Sequence, residues 1–331
     1  MNKEDCLRMK LHYQSLKRLK VQDMVNLWNQ EMGADFPMSE RLLIQNSFSD
    51  CNLFFEGSYL TLNEQDELVG FIISKMFQEN REVNLGQDVG WIQVLVVHKD
   101  YRNQGIGSEL LRKAEGAFQN QNIKEIMLGR DPFHFFPGIP ANYEQTIRWF
   151  ESQGYELNEP YGRDYDMVRS FKDQEEVTLP VIQNISFTIL KIEEKDQFLH
   201  FLKQSFPGRW QYEAHKYFEM GGVGREFVVV KKEGSIIGFC RINDLSSPII
   251  AQNVYWSSLF EHNLGGIGPL GVAKEERKSG YGIAVVEAAI YYLRKRGVSS
   301  MVIDWTGLVS FYEKLGFKEW KSYRNLQKNL G

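Results

Sequence analysis

Cysteine is scarce in this chain, charge of either sign is not in excess, and long apolar runs are missing. Three cysteines, Cys6, Cys51 and Cys240, lie far apart among 331 residues and form no CxxC pair. That argues against a disulfide framework or a zinc site, so no metal is expected and a reducing, cytoplasmic setting fits. The opening residues MNKEDCLRMKLHYQSLK carry charges and no apolar core, so no secretory leader is expected. No stretch approaches the length that crosses a bilayer, so no membrane partner is expected. The formal net charge is −4 with both signs well mixed, unlike the concentrated basic surface of a nucleic-acid binder.

What the chain has is an ordinary globular composition, 43% hydrophobic and 25% charged. It is longer than one core usually grows, which predicts two domains. An internal repeat agrees. LVVHKDYRNQGIG from Leu95 lies over LGVAKEERKSGYG from Leu270, pairing Leu95 with Leu270, Val97 with Val272, Arg102 with Arg277, Gly105 with Gly280 and Gly107 with Gly282. The same 175-residue offset carries IKEIMLGR from Ile123 onto VSSMVIDW from Val298. One offset held from strand through helix to strand indicates duplication. The expected division is 1–170 and 171–331, with the polar segment from Ser170 to Glu176 as linker.

Apolar spacing predicts the elements. In the first copy helices are expected at 23–33 and 39–49, strands at 59–62, 68–76 and 90–97, and a helix from Gly107 burying Leu110, Leu111, Ala114 and Phe118. In the second, strand 187–192, helix 196–206 and strands 226–231 and 236–242 precede a strand ending at Val272, a helix at 283–296 and a strand at 301–304. Strands alternating with helices predict an α/β architecture: in each copy a mixed sheet with helices on both faces.

In both copies R-x-x-G-x-G joins a buried strand to an amphipathic helix. Glycine there permits close backbone approach, and the free N–H groups and dipole of the helix's first turn seat an anion such as pyrophosphate. The spacing is too short for G-x-G-x-x-G and lacks the P-loop lysine. A pair of glycine-rich surface turns is the alternative. The candidate binding residues are Leu95, Val97, Arg102, Asn103, Gln104, Gly105, Ile106, Gly107 and Ser108, with Leu270, Gly271, Val272, Arg277, Lys278, Ser279, Gly280, Tyr281 and Gly282.

RNQGIG and RKSGYG resemble the acyl-CoA pyrophosphate loop of the GCN5-related N-acetyltransferases, and FYEKLGF at 311–317 resembles that family's later helix-and-turn signature. The resemblance covers nearly the whole chain, once per half. It implies tandem domains whose mostly antiparallel sheets splay beside the strand before the loop. It also implies acetyl-CoA in the gap, a main-chain N–H polarising the thioester carbonyl, and transfer to the amine of a small molecule. In the family a tyrosine in that later helix often protonates the departing thiolate. Here that residue is Tyr312, whereas the first copy aligns Phe150, which has no proton to give. The second half is therefore expected to be catalytic and the first degenerate, an arrangement that resembles the mycothiol-synthase type.

The base is less defined. Asp304, near the end of its strand, either takes a proton through a water or holds a turn; Glu261 and His262 are weaker candidates. In the first half RDPFHFFPGIPANYE is an insert of 13 residues, since the offset falls from 175 to 162 between the loop and Phe150. Its stiff aromatic run either plugs a core or domain interface or lines the acceptor pocket through His134 and Phe135. FPGRW offers the same choice for Arg209 and Trp210. DPFHFFPGIP, FPGRW and IDWTGLVSFYEKLGF together resemble the glucosamine and glucosaminide N-acetyltransferases of bacterial cell-wall recycling, which implies an amino-sugar acceptor. The rival readings are a non-catalytic acyl-CoA sensor and an acetyltransferase for peptide or protein amines.

Overall fold

The computed structural model describes residues 10–331 apart from 18–19, 82, 84, 159–161 and 173; Cys6 lies outside the described residues. The first half runs β1 (His12–Ser15), α1 (Val21–Met32), α2 (Glu40–Leu43, prolonged by a π turn at Ile44–Phe48), β2 (Tyr59–Leu62), β3 (Leu68–Met76) and β4 (Val89–Val97). It continues with α3 (Ile106–Asn120), β5 (Glu125–Leu128), β6 (Ile139–Pro140), α4 (Glu144–Ser152), β7 (Glu156–Leu157) and β8 (Arg163–Ser170). The second half runs β9 (Ile185–Ile189), α5 (Lys195–Ser205), α6 (Arg209–Glu219), β10 (Phe227–Lys232), β11 (Ser235–Asp244) and β12 (Leu264–Val272). It ends with α7 (Tyr281–Lys295), β13 (Ser300–Thr306), α8 (Val309–Glu313), β14 (Lys318–Arg324) and β15 (Leu326–Asn329).

The apolar stripes sit where the spacing placed them. Leu110, Leu111, Ala114 and Phe118 of α3 are buried with Ile72 of β3, Ile92 of β4 and Ile126 of β5 on one face of the first sheet. α7 buries a broader face, Ala284 to Leu293, against Cys240, Ile242 and Ile267. The opposite faces are covered by α1 and α2 in one half and by α5 and α6 in the other. Both sheets are mostly antiparallel, and in each one parallel pair follows the long helix's crossover, β4 with β5 and β12 with β13. The α/β class with two mixed, helix-covered sheets is thus present.

Three local readings differ. The strand expected to reach Ile192 ends at Ile189, because Ile192 opens a 3₁₀ turn. No helix was expected after Phe206, yet Gly208, at φ +107°, starts α6. Ser170, expected in the linker, closes β8.

The strand order was not legible either. The first sheet reads β1-β2-β3-β4-β5-β15-β7 and the second β6-β14-β8-β13-β12-β11-β10-β9. The last long strand of the first half therefore pairs between β13 and β14, while the C-terminal strand pairs between β5 and β7. The halves divided at 170 follow the duplication, but their hydrogen bonding crosses that boundary in both directions.

Packing joins the halves as well. Phe136 stacks on Trp28 (5.7 Å) and on Trp256 of the second half (5.8 Å), with Phe36 edge-on at 4.8 Å. Gln45 exchanges two 2.9 Å hydrogen bonds with the backbone of Ile250, and Asn46 Nδ2 donates to Tyr255 Oη at 2.7 Å. Such a residue at the centre of a dry aromatic cluster is expensive to truncate. Phe136→Ala should cost about 3–5 kcal/mol, read from urea unfolding; a cost near zero would show that the insert is not part of the core.

Candidate active site

The two glycine turns have the same backbone. Asn103 and Lys278 are left-handed at φ 60° and 68°, and Gly105 and Gly280 follow at φ 83° and 81° as the residues preceding α3 and α7. A Cβ at either glycine would meet nothing within 4 Å. Glycine is needed there for the backbone angle, and the space beside it is open. No side chain caps either helix, so the N–H groups of Ile106–Ser108 and of Tyr281–Ile283 point out of the turn. This is an anion cradle, and its donors fit the pyrophosphate of an acyl-CoA.

Arg102 and Arg277 each brace their loop, Nε donating at 3.1 Å to the carbonyl of Val97 and of Val272. They differ in partner. Arg102 is ion-paired with Glu31 of α1, whereas Arg277 meets no carboxylate among the described residues. Gln104 is turned back onto the Asp100 carbonyl, and Ile106 is buried in the core. Lys278 and Ser279 are exposed, and Ser108, Tyr281 and Gly282 are half-buried.

Beyond the loops the copies diverge at three matched positions. In the second half β12 pairs with β13 from Leu264 to Gly266 and then parts from it, so Ile267–Val272 has β11 as its one ladder neighbour. Gly268 sits at the parting with φ +122°, and a Cβ there would meet just one atom within 4 Å, Asp304 Oδ1 at 3.9 Å. At the 175-residue offset the first half has Gln93 instead of Gly268 and Gly129 instead of Asp304. Gln93 Nε2 donates to Asp131 Oδ2 (3.1 Å) and to the carbonyls of Asn46 (3.0 Å) and Phe133 (3.3 Å). Lys75, fully buried, bonds Asp131 (2.7 Å), Asp50 (2.8 Å) and the Pro132 carbonyl (3.0 Å), and the two carboxylates keep it charged. The insert is thereby locked onto β3 and β4, filling the gap that stands open in the second half. Phe150, in the place of Tyr312, packs in the core against Trp149 and Tyr155.

Asp304 stands at the parting, and Tyr312 lies in the core near enough to feel its charge. Asn253 Nδ2 donates to Asp304 Oδ1 at 3.0 Å and to the Gly268 carbonyl at 3.3 Å, so one amide ties the two walls together. Burial, then the like charges of Asp166 and Glu213, push Asp304 up to about 7. Asp166 is itself raised, to about 6, by burial, although Tyr323 Oη (2.6 Å) and the Trp305 N–H (3.1 Å) donate to it. Tyr312, nine-tenths buried in the core beneath β12, has its phenol pushed up by burial, Cys240 and Asp304, and so stays protonated. Leu270 and Val272 continue the free stretch of β12, with the Phe206 ring packed over Gly271. Glu261 and His262 are exposed at the other, paired end of β12, away from the gap.

The four expected acceptor residues separate into two pairs. Arg209 and His134 gather around Trp305, the residue after Asp304. The Arg209 guanidinium lies 4.6 Å over that ring and the His134 imidazole 4.9 Å from it, edge-on. Arg209 also donates to the Arg130 carbonyl (3.0 and 2.9 Å) and the Asp131 carbonyl and meets Glu213 at 3.3 Å. His134 is buried, and burial and Arg209 hold it well below its ordinary value, leaving it neutral. Phe135 and Trp210 instead pack inward, Phe135 on Trp28 (5.1 Å) and Trp210 on Phe206 (5.2 Å) and Phe239 (5.9 Å). Asn253 and Asp166 escaped the sequence reading because they meet Asp304 from separate elements, and Trp305 because its partners Arg130, His134 and Arg209 come from elsewhere in the chain. The exchange of Gln93 for Gly268 did carry a signal, visible in the repeat.

Among the described residues no cluster of His, Cys, Asp and Glu is arranged to hold a metal, and no helix is long and apolar enough to cross a membrane. The model of the acetyltransferase (GNAT) family matches twice, over residues 21–136 and 195–317. The mycothiol acetyltransferase of Renibacterium salmoninarum is 25% identical over 297 residues, covering 86% of this chain and 79% of that protein. Among solved structures, the GCN5-related glucosamine N-acetyltransferase region of a fungal multi-domain GH3 β-N-acetylglucosaminidase superposes with a TM-score of 0.85 at 23% identity over 96% of this chain. This chain spans 38% of that longer one. A tandem GNAT protein from the clavulanic acid biosynthesis pathway superposes with a TM-score of 0.69 at 14% identity, over 97% of this chain and 99% of that one. With both halves matched and the splayed sheet, glycine turn and following helix in each, the chain belongs to the acetyltransferase (GNAT) family as a tandem acyltransferase.

Proposed function

We propose that the second half transfers an acetyl group from acetyl-CoA to the primary amine of a small molecule, with an amino sugar such as glucosamine or a glucosaminide as the leading acceptor. The carrying observation is the opening at Gly268, flanked by Asp304, against its closure by Gln93 and the insert in the first half. The likeness to a glucosamine N-acetyltransferase region supports the amino sugar.

Each residue has one task. The α7 N-terminus and Arg277 hold the pyrophosphate. Asp304, half-ionised near neutrality, takes the proton of the acceptor ammonium and leaves a neutral nucleophile. Main-chain N–H groups of the unpaired part of β12 face the developing oxyanion. As the C–N bond forms and the C–S bond breaks, the Tyr312 phenol gives its proton to sulfur and is restored by the proton that the new amide nitrogen releases. Cys240 lies beside Tyr312 but is buried with its thiol pushed up, which suits direct attack and not a covalent relay.

Release of free coenzyme A against a panel of amines tests the reading: turnover confined to amino sugars supports it, and turnover confined to peptide amines or none at all removes it. Tyr312→Phe should lower kcat about 10²-fold with acetyl-CoA affinity unchanged. Gly280→Asp should abolish acetyl-CoA turnover, and Gly105→Asp should spare it; the reverse would make the first half catalytic. The base must be ionised, so kcat/KM should rise with pH to a plateau above about 7, and Asp304→Asn should remove that limb.

The same carboxyl links pH to stability. Its folded value lies above the ordinary one, so the unfolded chain releases this proton first, and stability drains away as pH rises from about 4 to about 7. Asp304→Asn should therefore gain on the wild type in urea midpoint across that window and hold a constant difference above it. A flat difference between pH 4 and 7 would mean that Asp304 titrates normally.

A further inference from the structure

Arg130, the residue after Gly129 of the first half, is a cation without a counter-ion. Among the described residues no carboxylate lies within ion-pair distance of its guanidinium, and Nη1 is sealed from water with no hydrogen-bond partner. Burial disfavours its charge first, and the neighbouring Arg209 adds repulsion. Two carboxylates act on it from further off: Glu125 the more weakly, and Asp164, which is engaged elsewhere, accepting from Trp305 Nε1 at 2.8 Å and Asn325 Nδ2 at 2.7 Å. Arg209 has spent its donors on backbone carbonyls and Glu213. Arg130 has not: what holds its side chain is the Trp305 ring, 5.2 Å from the guanidinium carbon.

Arg130 and Trp305 are also the same position in the two copies, 175 residues apart. Both are left-handed, at φ 66° and 44°, without being glycine. Strain of that kind persists where surrounding structure enforces it, and it gathers at functional sites. Here it turns two equivalent residues toward each other across the boundary between the halves. Trp305 follows Asp304 on β13, so the guanidinium of one half packs on the residue next to the proposed base of the other. A partly buried guanidinium with unspent donors is complemented best by a carboxylate or phosphate, which its planar fork binds bidentately.

We propose that Arg130 is an acceptor-specificity residue supplied by the first half, taking an anionic group carried by the same molecule whose amine faces Asp304. The acceptor class is then an amino sugar bearing an acid, and the degenerate half contributes to recognition. This rests on the assignment of the acceptor side to Asp304.

The test is calorimetric binding, with coenzyme A present, of glucosamine, glucosamine 6-phosphate and glucosaminuronic acid, which differ at one carbon. At least one acidic form should bind about tenfold or more tighter than glucosamine, and which one does so separates phosphate from carboxylate. Arg130→Gln should close that gap without moving the thermal midpoint, and Arg130→Lys should restore part of it. Equal binding of all three, binding of none, or a gap that survives Arg130→Gln overturns the proposal. Turnover run in parallel separates the two readings. An Arg130-dependent gap without turnover keeps the anion subsite and removes acetyl transfer to amino sugars. Turnover of glucosamine without a gap does the opposite.

Discussion

The parting of β12 from β13 after Gly266 is the constraint on which the rest of the second half depends. A strand inside a sheet normally spends its N–H and C=O groups on both neighbours. From Ile267 to Val272 one edge of β12 has no such partner, and that edge leads from Gly268 and Asp304 to the glycine turn before α7. The backbone thus offers an edge without a strand partner between the glycine turn and Asp304. Asn253 holds the opening by bonding both walls at once, and the crowding of Asp304 with Asp166 and Glu213 follows from bringing three elements to that point.

The first half shows what the same architecture becomes when its gap is closed. Gln93, Lys75, Asp50 and Asp131 make a buried network in which the lysine is matched by two carboxylates and a carbonyl. A network of this kind is costly to disrupt one member at a time, because each loss leaves a charge or amide stranded. The aromatic residues after it extend the same plug into the boundary between the halves, where Phe136 lies between Trp28 and Trp256. The first half is therefore part of the structural support of the second. The exchanged strands β8 and β15 make the dependence mutual, since each sheet is completed by the other half.

Much of this was legible in the chain itself. Local rules govern the long amphipathic helices, the hairpin strands and the glycine turns, because periodicity and backbone angle are properties of neighbouring residues. The 175-residue repeat doubled that information, and the exchange of Tyr312 for Phe150 distinguishes the halves in the sequence itself. Helix α6 was missed although its apolar contrast at the helical period is as marked as that of α3.

The sequence by itself determined the α/β class, the duplication, the two anion cradles and which half keeps a proton-donating tyrosine, since each rests on residue type at short spacing. Tertiary structure alone decided the strand exchange, the inward turn of Phe135 and Trp210, and the meeting of Asp304 with Asn253, Asp166 and Glu213. It also decided that Arg130 would face Trp305. Those outcomes depend on which distant segments share a volume, and on the burial and electrostatics that arise when they do; neither is written in the spacing of residues along the chain.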